Sequence, residues 1–193
     1  MAEYPRAEHI LNESTEVPTG RLGIWWFLAS EVVIFGGLIA TYVLFRWQHP
    51  EWAAEASHTL NFAGALNTMV LLTSSLTVVL AHAAITEGKF QLAARNLGFT
   101  LLGGAIFMGV KAYEYSHEIA AGFVPARSLF WSFYYTMTGL HALHVLGGMI
   151  AIATVLVAVR KGHAPQRVEY VGLYWHFVDI VWIFLFPLLY LAS

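Results

Sequence analysis

The stretch LGIWWFLASEVVIFGGLIATYVLF, residues 22–45, is long and apolar enough to cross a lipid bilayer as one helix. Its only charged residue, Glu31, lies nine residues into the run. At a rise of about 1.5 Å per residue, this places Glu31 roughly 14 Å deep, near the middle of the membrane. An ionised carboxylate costs a few kcal/mol or more at that depth. Two interpretations follow: a carboxyl group that handles protons or gates them, and a hydrogen-bonded carboxyl group that fixes helix packing.

The composition of the whole chain also indicates a membrane protein. Of its 193 residues, 58% are hydrophobic and only 11% are charged, whereas about one quarter of a soluble globular protein is charged. There is no cysteine, which excludes disulfides, iron–sulfur clusters and thiolate metal sites. The net charge of -2 gives no reason to expect a nucleic acid partner.

Four further apolar stretches are long enough to span a membrane. The five predicted spans cover about 22–45, 62–85, 97–115, 129–159 and 168–191. The segments between them are short and polar, and residues 1–20 form a polar tail without the pattern of a cleaved signal peptide. The sequence therefore predicts an all-α integral membrane protein, a bundle of five transmembrane helices, with residues 21–193 as a single domain.

The distribution of lysine and arginine predicts the orientation of this bundle. One side has seven basic residues: Arg6, Arg21, Lys89, Arg95, Arg160, Lys161 and Arg167. The other side has two, Arg46 and Arg127, and Lys111 is left out because it lies within a span. Basic residues are enriched in short cytoplasmic loops. We therefore expect the N-terminus inside and the C-terminus outside.

Two histidines, His141 and His144, lie in the middle of the fourth predicted span. A spacing of three places them on one face of a helix. That face could ligate a metal or a haem, but two imidazoles on one helix cannot clamp a haem from opposite sides. The residues therefore favour a buried polar pair that hydrogen bonds across helices.

The end of the third predicted span is also rich in ionisable residues. Lys111, Glu114 and Glu118 share a helical face at spacings of three and four. The favoured interpretation is an ion pair near the membrane interface, with the Lys111 side chain reaching toward water. The alternative is an ion path.

The second and fifth predicted spans carry polar residues as well. His176 and Asp179 share one face of the fifth, where an acid so far inside the helix must face protein or water. In the second span, Asn67, Ser74 and Ser75 share a face. We expect them to hydrogen bond between helices, each bond contributing about 0.6 kcal/mol.

Five motifs, one in each predicted span, resemble subunit III of haem–copper respiratory oxidases. They are GIWWFLASEVVIFGGLIATY (23–42), LNTMVLLTSSLTVVLAHAA (66–84), GVKAYEYSHEI (109–119), FYYTMTGLHALHVLGGMI (133–150) and YWHFVDIVWIFLFPLLYL (174–191). They occur in the order of the family and cover nearly everything after residue 20. Residue patterns alone reach only a five-helix membrane protein, so the reaction comes from this resemblance.

The resemblance implies a non-catalytic subunit of a cytochrome c oxidase that serves aerobic respiration. Such a subunit has no catalytic centre and binds neither haem nor copper, because both belong to subunit I, against which it packs. Subunit II belongs to the same complex, and bound phospholipid is expected. The implied role is to support proton uptake and stability during turnover, in the plasma membrane of a bacterium.

The resemblance also extends to single residues. Glu31 matches the family's buried membrane carboxyl group, and further recurrent polar positions are matched by Glu114, His141, His144, His176 and Asp179. Two departures stand out. Lys111 stands where glutamine is expected, and longer members of the family have two additional N-terminal helices that form one wall of a lipid cleft.

Other functions stay open from the sequence. The "SE" pair at residues 30–31 favours a cytochrome c oxidase, while subunit III of a quinol oxidase and an accessory protein of nitric oxide reductase are the nearest alternatives. A stand-alone proton-coupled transporter is more distant, because such proteins usually show paired repeats with interrupted helices. A haem-carrying, quinol-binding membrane anchor would need facing histidines on two helices, and the sequence offers no clear pair.

Overall fold

The computed structural model describes residues 19–163 and 165–191, and in these ranges the regular structure is entirely helical. The helices are α1 (Thr19–Gln48), α2 (Trp52–Ala56), α3 (Asn61–Thr86), α4 (Phe90–Ala120), α5 (Leu129–Arg160) and α6 (Gln166–Tyr190). Five of them, all except α2, are long and apolar enough to cross a membrane. This confirms the predicted all-α fold with five membrane helices. Residues 1–18 of the predicted polar tail lie outside the described ranges.

The long helices form a bundle with one peripheral member. Helix α4 packs against α3 and α5, and α6 packs against the same two helices. Helix α1 lies outside this group of four and contacts mainly α6, with a smaller contact to α5. Large apolar side chains cover the outer faces, as Trp26, Val33 and Phe62 illustrate. An outer surface of this kind is suited to lipid, since a helix apolar on all sides belongs in a membrane.

Aromatic side chains fill the centre of the bundle. The largest fully buried ones include Trp131, Trp175, Trp182, Tyr134 and Tyr190. Small residues make room for them: a Cβ atom on Gly148 would lie 2.9 Å from the Trp175 ring, and one on Gly104 would lie 3.0 Å from the same ring. Helices α4, α5 and α6 therefore approach closely around Trp175.

Helix α4 extends beyond the predicted span at both of its ends. The additional turns contain polar residues that lower the local hydropathy, including Asn96 and Glu118. These side chains lie on the buried face of the helix together with Thr100, Lys111 and Glu114. The helix continues because its polar residues are covered by protein, which a hydropathy pattern alone does not reveal.

Helix α4 ends in a turn that fixes the following loop. Gly122 has a φ of 83°, a left-handed conformation that side chains disfavour. The Gly122 amide donates to Ile119 O at 3.0 Å, and the Phe123 amide donates to Glu118 O at 2.9 Å. This pair of bonds is a Schellman motif. It turns the chain sharply at the end of α4 and uses the backbone carbonyl group of Glu118.

The short helix α2, which the sequence pattern did not predict, covers the same end of the bundle. Trp52 is buried, with its ring 5.9 Å from Phe130 and 5.5 Å from Tyr42 between centroids. Glu55 Oε2 accepts a hydrogen bond of 2.7 Å from the Trp131 indole nitrogen. The α1–α3 connection is therefore fastened to α5.

Candidate functional site

Glu31 is paired with a histidine of another helix. Its carboxylate oxygen Oε2 lies 2.9 Å from His144 Nε2, which joins the middle of α1 to the middle of α5. Only 7% of the Glu31 surface is exposed, although its helix lies at the periphery of the bundle. The costly mid-span carboxyl group therefore faces protein.

The number of protons in this pair follows from its hydrogen bonds. His144 Nδ1 lies 2.8 Å from Leu140 O, a carbonyl that can only accept, so Nδ1 carries a proton. The Nε2–Oε2 contact then needs one proton of its own. That proton lies either on His144, giving an ion pair, or on Glu31, giving a neutral acid and imidazole. In both forms the pair has no net charge, which makes its burial tolerable.

Neighbouring aromatic groups hold His144 in place. The Tyr174 hydroxyl of α6 donates to His144 O at 3.0 Å, and the Phe35 ring meets the imidazole nearly edge-on at 5.0 Å between centroids. Phe35 belongs to α1, one turn from Glu31. The pair therefore lies where α1, α5 and α6 meet.

His141 does not share the contact of its neighbour His144. It is fully buried and packs against the rings of Phe107 and Trp182, with centroid distances of 5.5 and 5.1 Å. Among the described residues, neither of its ring nitrogens has a hydrogen-bond partner. The prediction that both histidines bond across helices is therefore wrong for His141. The spacing of three leaves the two side chains about 60° apart around the helix, enough to face different neighbours.

Glu114 belongs to a second group of buried polar residues, here called the lysine cluster. It consists of Lys111, Glu114 and Glu118 of α4, Tyr134 of α5 and Tyr190 of α6. Lys111 Nζ lies 3.1 Å from Glu114 Oε2, 3.2 Å from Tyr134 Oη and 2.8 Å from Tyr190 Oη. Lys111 is only 2% exposed. The predicted ion pair is present, but the prediction that Lys111 reaches toward water is wrong, because its ammonium group is enclosed by these acceptors.

Helices α3 and α6 are joined by a row of hydrogen bonds. Ser75 Oγ lies 2.6 Å from His176 Nδ1, and Ser74 Oγ accepts from the Trp175 indole at 3.0 Å. These contacts confirm the predicted bonding between helices for Ser74 and Ser75. The Asn67 amide, by contrast, is buried with no hydrogen-bond partner among the described residues.

Asp179 lies one turn beyond His176 on α6 and is almost entirely buried. Neither of its carboxylate oxygens has a hydrogen-bond partner within the part of the chain that the structure describes. The Ser75 hydroxyl is near enough to interact with the carboxylate, but its hydrogen-bond contact in the structure is with His176 Nδ1. His176 and Asp179 thus share a helical face without acting on each other.

The sequence indicated the buried ionisable residues, but it did not indicate which residues of other helices they contact. Tyr134 and Tyr190 complete the lysine cluster, yet they are 23 and 79 positions from Lys111 in the chain. Helical spacing cannot reveal such contacts, because it relates only residues on one helix. Among the described residues, there is no group of three or more His, Cys, Asp or Glu side chains that could hold a metal ion.

Comparison with known proteins identifies the family that has this architecture. The sequence model of the family described as "Cytochrome c oxidase subunit III" matches residues 12–193. The chain belongs to the cytochrome c oxidase subunit III family. The match includes all five long helices and therefore both the Glu31–His144 pair and the lysine cluster.

Individual relatives of the chain come from several bacteria. It is 36% identical over 177 residues to "Cytochrome c oxidase subunit 3" of Thermostichus vulcanus, covering 89% of this chain and 87% of that protein. It is 37% identical over 182 residues to the protein of the same name from Bacillus subtilis, covering 89% and 86%. It is also 36% identical over 179 residues to "Cytochrome bo(3) ubiquinol oxidase subunit 3" of Pseudomonas putida, covering 89% and 85%.

Proposed function

We propose that this chain is the non-catalytic subunit III of a terminal haem–copper oxidase, packing on subunit I in a complex that also contains subunit II. The observation that carries the proposal is the family match across residues 12–193, which leaves no long helix unassigned. Haem and copper would belong to subunit I, and members of the family carry no redox cofactor themselves. The chain is thus part of an oxidoreductase without holding the reacting atoms.

The partner surface we propose lies on the exposed sides of α1 and α5. Gly36 and Ala40 of α1 are exposed, and a Cβ atom on Gly36 would meet no other atom within 4 Å. Gly147 and Ala151 of α5 line a shallow groove with Phe27. Small residues on an uncovered helix face allow another helix to approach closely. These two pairs are therefore candidate contacts for a helix of subunit I, and phospholipid would cover the remaining apolar surface.

The Glu31–His144 pair suggests how the subunit supports proton uptake and stability during turnover. It holds one proton that can lie on either partner, so the charge of the carboxyl group can change without a change in net charge. If this ionisation matters, Glu31→Gln should assemble normally but pump fewer protons or inactivate sooner during turnover. If Glu31 is purely structural, Glu31→Gln should turn over normally while Glu31→Leu assembles poorly. Normal assembly and sustained activity of both variants would reject both roles.

Cytochrome c is the electron donor we favour for the complex, on the basis of the "SE" pair at residues 30–31. A quinol is the second candidate, because the bo(3) ubiquinol oxidase subunit of Pseudomonas putida is as similar as the Thermostichus vulcanus subunit, at 36% identity each. Oxygen consumption by the purified complex with reduced cytochrome c, and then with a quinol, distinguishes the two donors.

The orientation we infer has the N-terminus inside and the C-terminus outside the plasma membrane of a bacterium. It rests on seven basic residues against two in the segments that flank the spans. A reporter fused after Ser193 should be active only outside the cytoplasm. Cytoplasmic activity of that fusion would reject the orientation.

The central experiment isolates the tagged chain from its own membranes in a mild detergent. We expect haem-bearing subunits to co-purify with the chain. Once the chain is separated from these subunits, it should show no haem absorption of its own. A chain that purifies alone and colourless would favour a transporter, and a chain that retains haem by itself would favour a quinol-binding anchor. Either of these results would reject the proposed function.

A further inference from the structure

The lysine cluster contains more hydrogen-bond contacts than its ionised form can supply with protons. Tyr134 Oη lies 2.8 Å from Glu114 Oε1 and 3.0 Å from Glu118 Oε1. Each of these oxygen–oxygen contacts requires one proton between the two atoms, because two unprotonated oxygens repel at such distances. The phenol of Tyr134 has a single proton. If both carboxyl groups were ionised, one of the two contacts would have none.

The other hydrogen bonds of the cluster cannot provide the missing proton. The Lys111 ammonium group can only donate, so its contacts with Glu114, Tyr134 and Tyr190 place no proton between Tyr134 and a carboxyl group. The Tyr190 hydroxyl lies 3.1 Å from Tyr134 Oη and either oxygen can be the donor, so this contact places no proton between Tyr134 and a carboxyl group. A carboxylic acid at one of the two glutamates supplies the missing proton.

The balance of charge leads to the same result independently. One ammonium and two carboxylates would give a net charge of -1 in a group whose members are almost fully buried. An unpaired buried charge is strongly unfavourable, especially within a membrane span. One added proton makes the cluster neutral.

The geometry assigns this proton to Glu118. Glu114 accepts from Lys111 through Oε2 and from Tyr134 through Oε1, as the counter-ion of the lysine should. Glu118 is 1% exposed, and its Oε2 atom has no hydrogen-bond partner among the described residues. A carboxylate oxygen in that position would be costly, whereas the carbonyl oxygen of an acid is less so. The Oε1 hydroxyl of Glu118 then donates to Tyr134.

The remaining ionisable groups around the cluster do not change this assignment. The Tyr115 ring of α4 lies 4.7 Å from Lys111 Nζ, and its hydroxyl is 2.6 Å from Thr138 Oγ1. Tyr135 of α5 is beside Glu118, but its hydroxyl donates to Phe123 O at 2.8 Å. His141, further along α5, packs against aromatic rings.

We propose that the lysine cluster is a proton-binding site of this chain, distinct from the Glu31–His144 pair, in which Glu118 holds one proton beside a Lys111–Glu114 ion pair. The site lies at the end of the bundle that carries the 121–128 loop and the end of α6. Glu118 is two residues before the end of α4. The bound proton therefore lies close to the aqueous phase on that side. The inference concerns this chain alone and does not depend on the proposed function.

Infrared spectroscopy tests the site through the carboxylic-acid C=O band of the complex at neutral pH. The spectrum of the native protein minus that of Glu118→Gln should contain one such band, equivalent to one group and shifted by exchange into D₂O. Glu118→Gln preserves the shape of a protonated glutamate, so the variant should fold. Absence of the band from this difference would overturn the proposal.

Two further variants separate this site from an ordinary buried acid. In Glu114→Gln, Glu118 should ionise to become the lysine's counter-ion, so the Glu118 band should disappear although Glu118 is still present. In Lys111→Met, no cation remains to stabilise a carboxylate, so both glutamates should be protonated. The carboxylic-acid absorption of the cluster should then double, because Glu114 contributes a second group. Glu31→Gln is the matched control and should leave the Glu118 band unchanged. Two results would contradict the assignment. One is a Glu118 band that persists in Glu114→Gln, and the other is a total carboxylic-acid absorption that does not increase in Lys111→Met.

Discussion

The two groups of buried acids in this molecule are neutralised in different ways. Glu31 depends on one histidine, and its helix α1 lies at the periphery of the bundle. Glu114 belongs to a network that unites α4, α5 and α6 within the packed group of four helices. Displacement of α1 alone would separate the first pair, whereas the second group is held by contacts among three packed helices. We therefore expect the peripheral pair to affect assembly and turnover, and the lysine cluster to affect the stability of the fold.

The largest effect is expected when both acids of the lysine cluster lose their charge. In Glu114→Gln with Glu118→Gln, the Lys111 ammonium group has no carboxylate to neutralise it. Breaking a buried ion pair in this way costs about 3–5 kcal/mol. Each single variant should cost about 1 kcal/mol, the net contribution of one hydrogen bond, since the other glutamate can serve as the counter-ion. The free energy of unfolding in mixed micelles titrated with a denaturing detergent measures this difference.

A third substitution provides the control for that double variant. Adding Lys111→Met removes the uncompensated charge and should restore most of the lost free energy. Such non-additivity is expected of residues that form one network. Single effects that simply sum to the effect of the double variant would show that the glutamates do not share the lysine.

An intermediate effect is expected at the peripheral pair. Glu31→Leu or His144→Leu leaves one buried polar partner unsatisfied, which costs roughly 1–3 kcal/mol. The double variant should lose no more than either single variant, because no unpaired group is left. The amount of this chain that stays bound to its partners during mild-detergent isolation is the suitable measurement. A double variant that loses the sum of both single effects would indicate that Glu31 and His144 act separately.

The contrast between the two groups also explains what could be predicted from sequence. The five long helices were predictable because their apolar length is itself the cause of membrane insertion. The shared face of Lys111, Glu114 and Glu118 was predictable for a similar reason, since spacings of three and four place residues side by side on one helix.

The direction of that shared face was not predictable. Helical spacing places polar residues on one face but does not show whether that face meets protein or water. Lys111 was therefore expected to reach water, although the structure directs it toward Tyr134 and Tyr190. The same limit applies to His141 and His144, whose neighbours are set by the packing of other helices around α5.

The smallest effect is expected at the α3–α6 contact, where a single hydroxyl group bonds to a half-buried histidine. Ser75→Ala removes the 2.6 Å contact with His176 Nδ1 but leaves the adjacent bond between Ser74 and Trp175 intact. Hydrogen bonds between membrane helices contribute about 0.6 kcal/mol on average. Ser75→Ala should therefore have a cost near that value.

Thr73→Val is the matched control for Ser75→Ala. The Thr73 hydroxyl donates to Met69 O of its own helix and is exposed, so its loss should not change the contact between α3 and α6. Both variants can be compared by the same unfolding titration in mixed micelles. A cost of 2 kcal/mol or more for Ser75→Ala, which is roughly the penalty for a buried unsatisfied group, would mean that Ser75 also supports the Asp179 carboxyl group. In that case the α3–α6 contact would be a third polar network comparable to the lysine cluster, and no longer a simple row of hydrogen bonds.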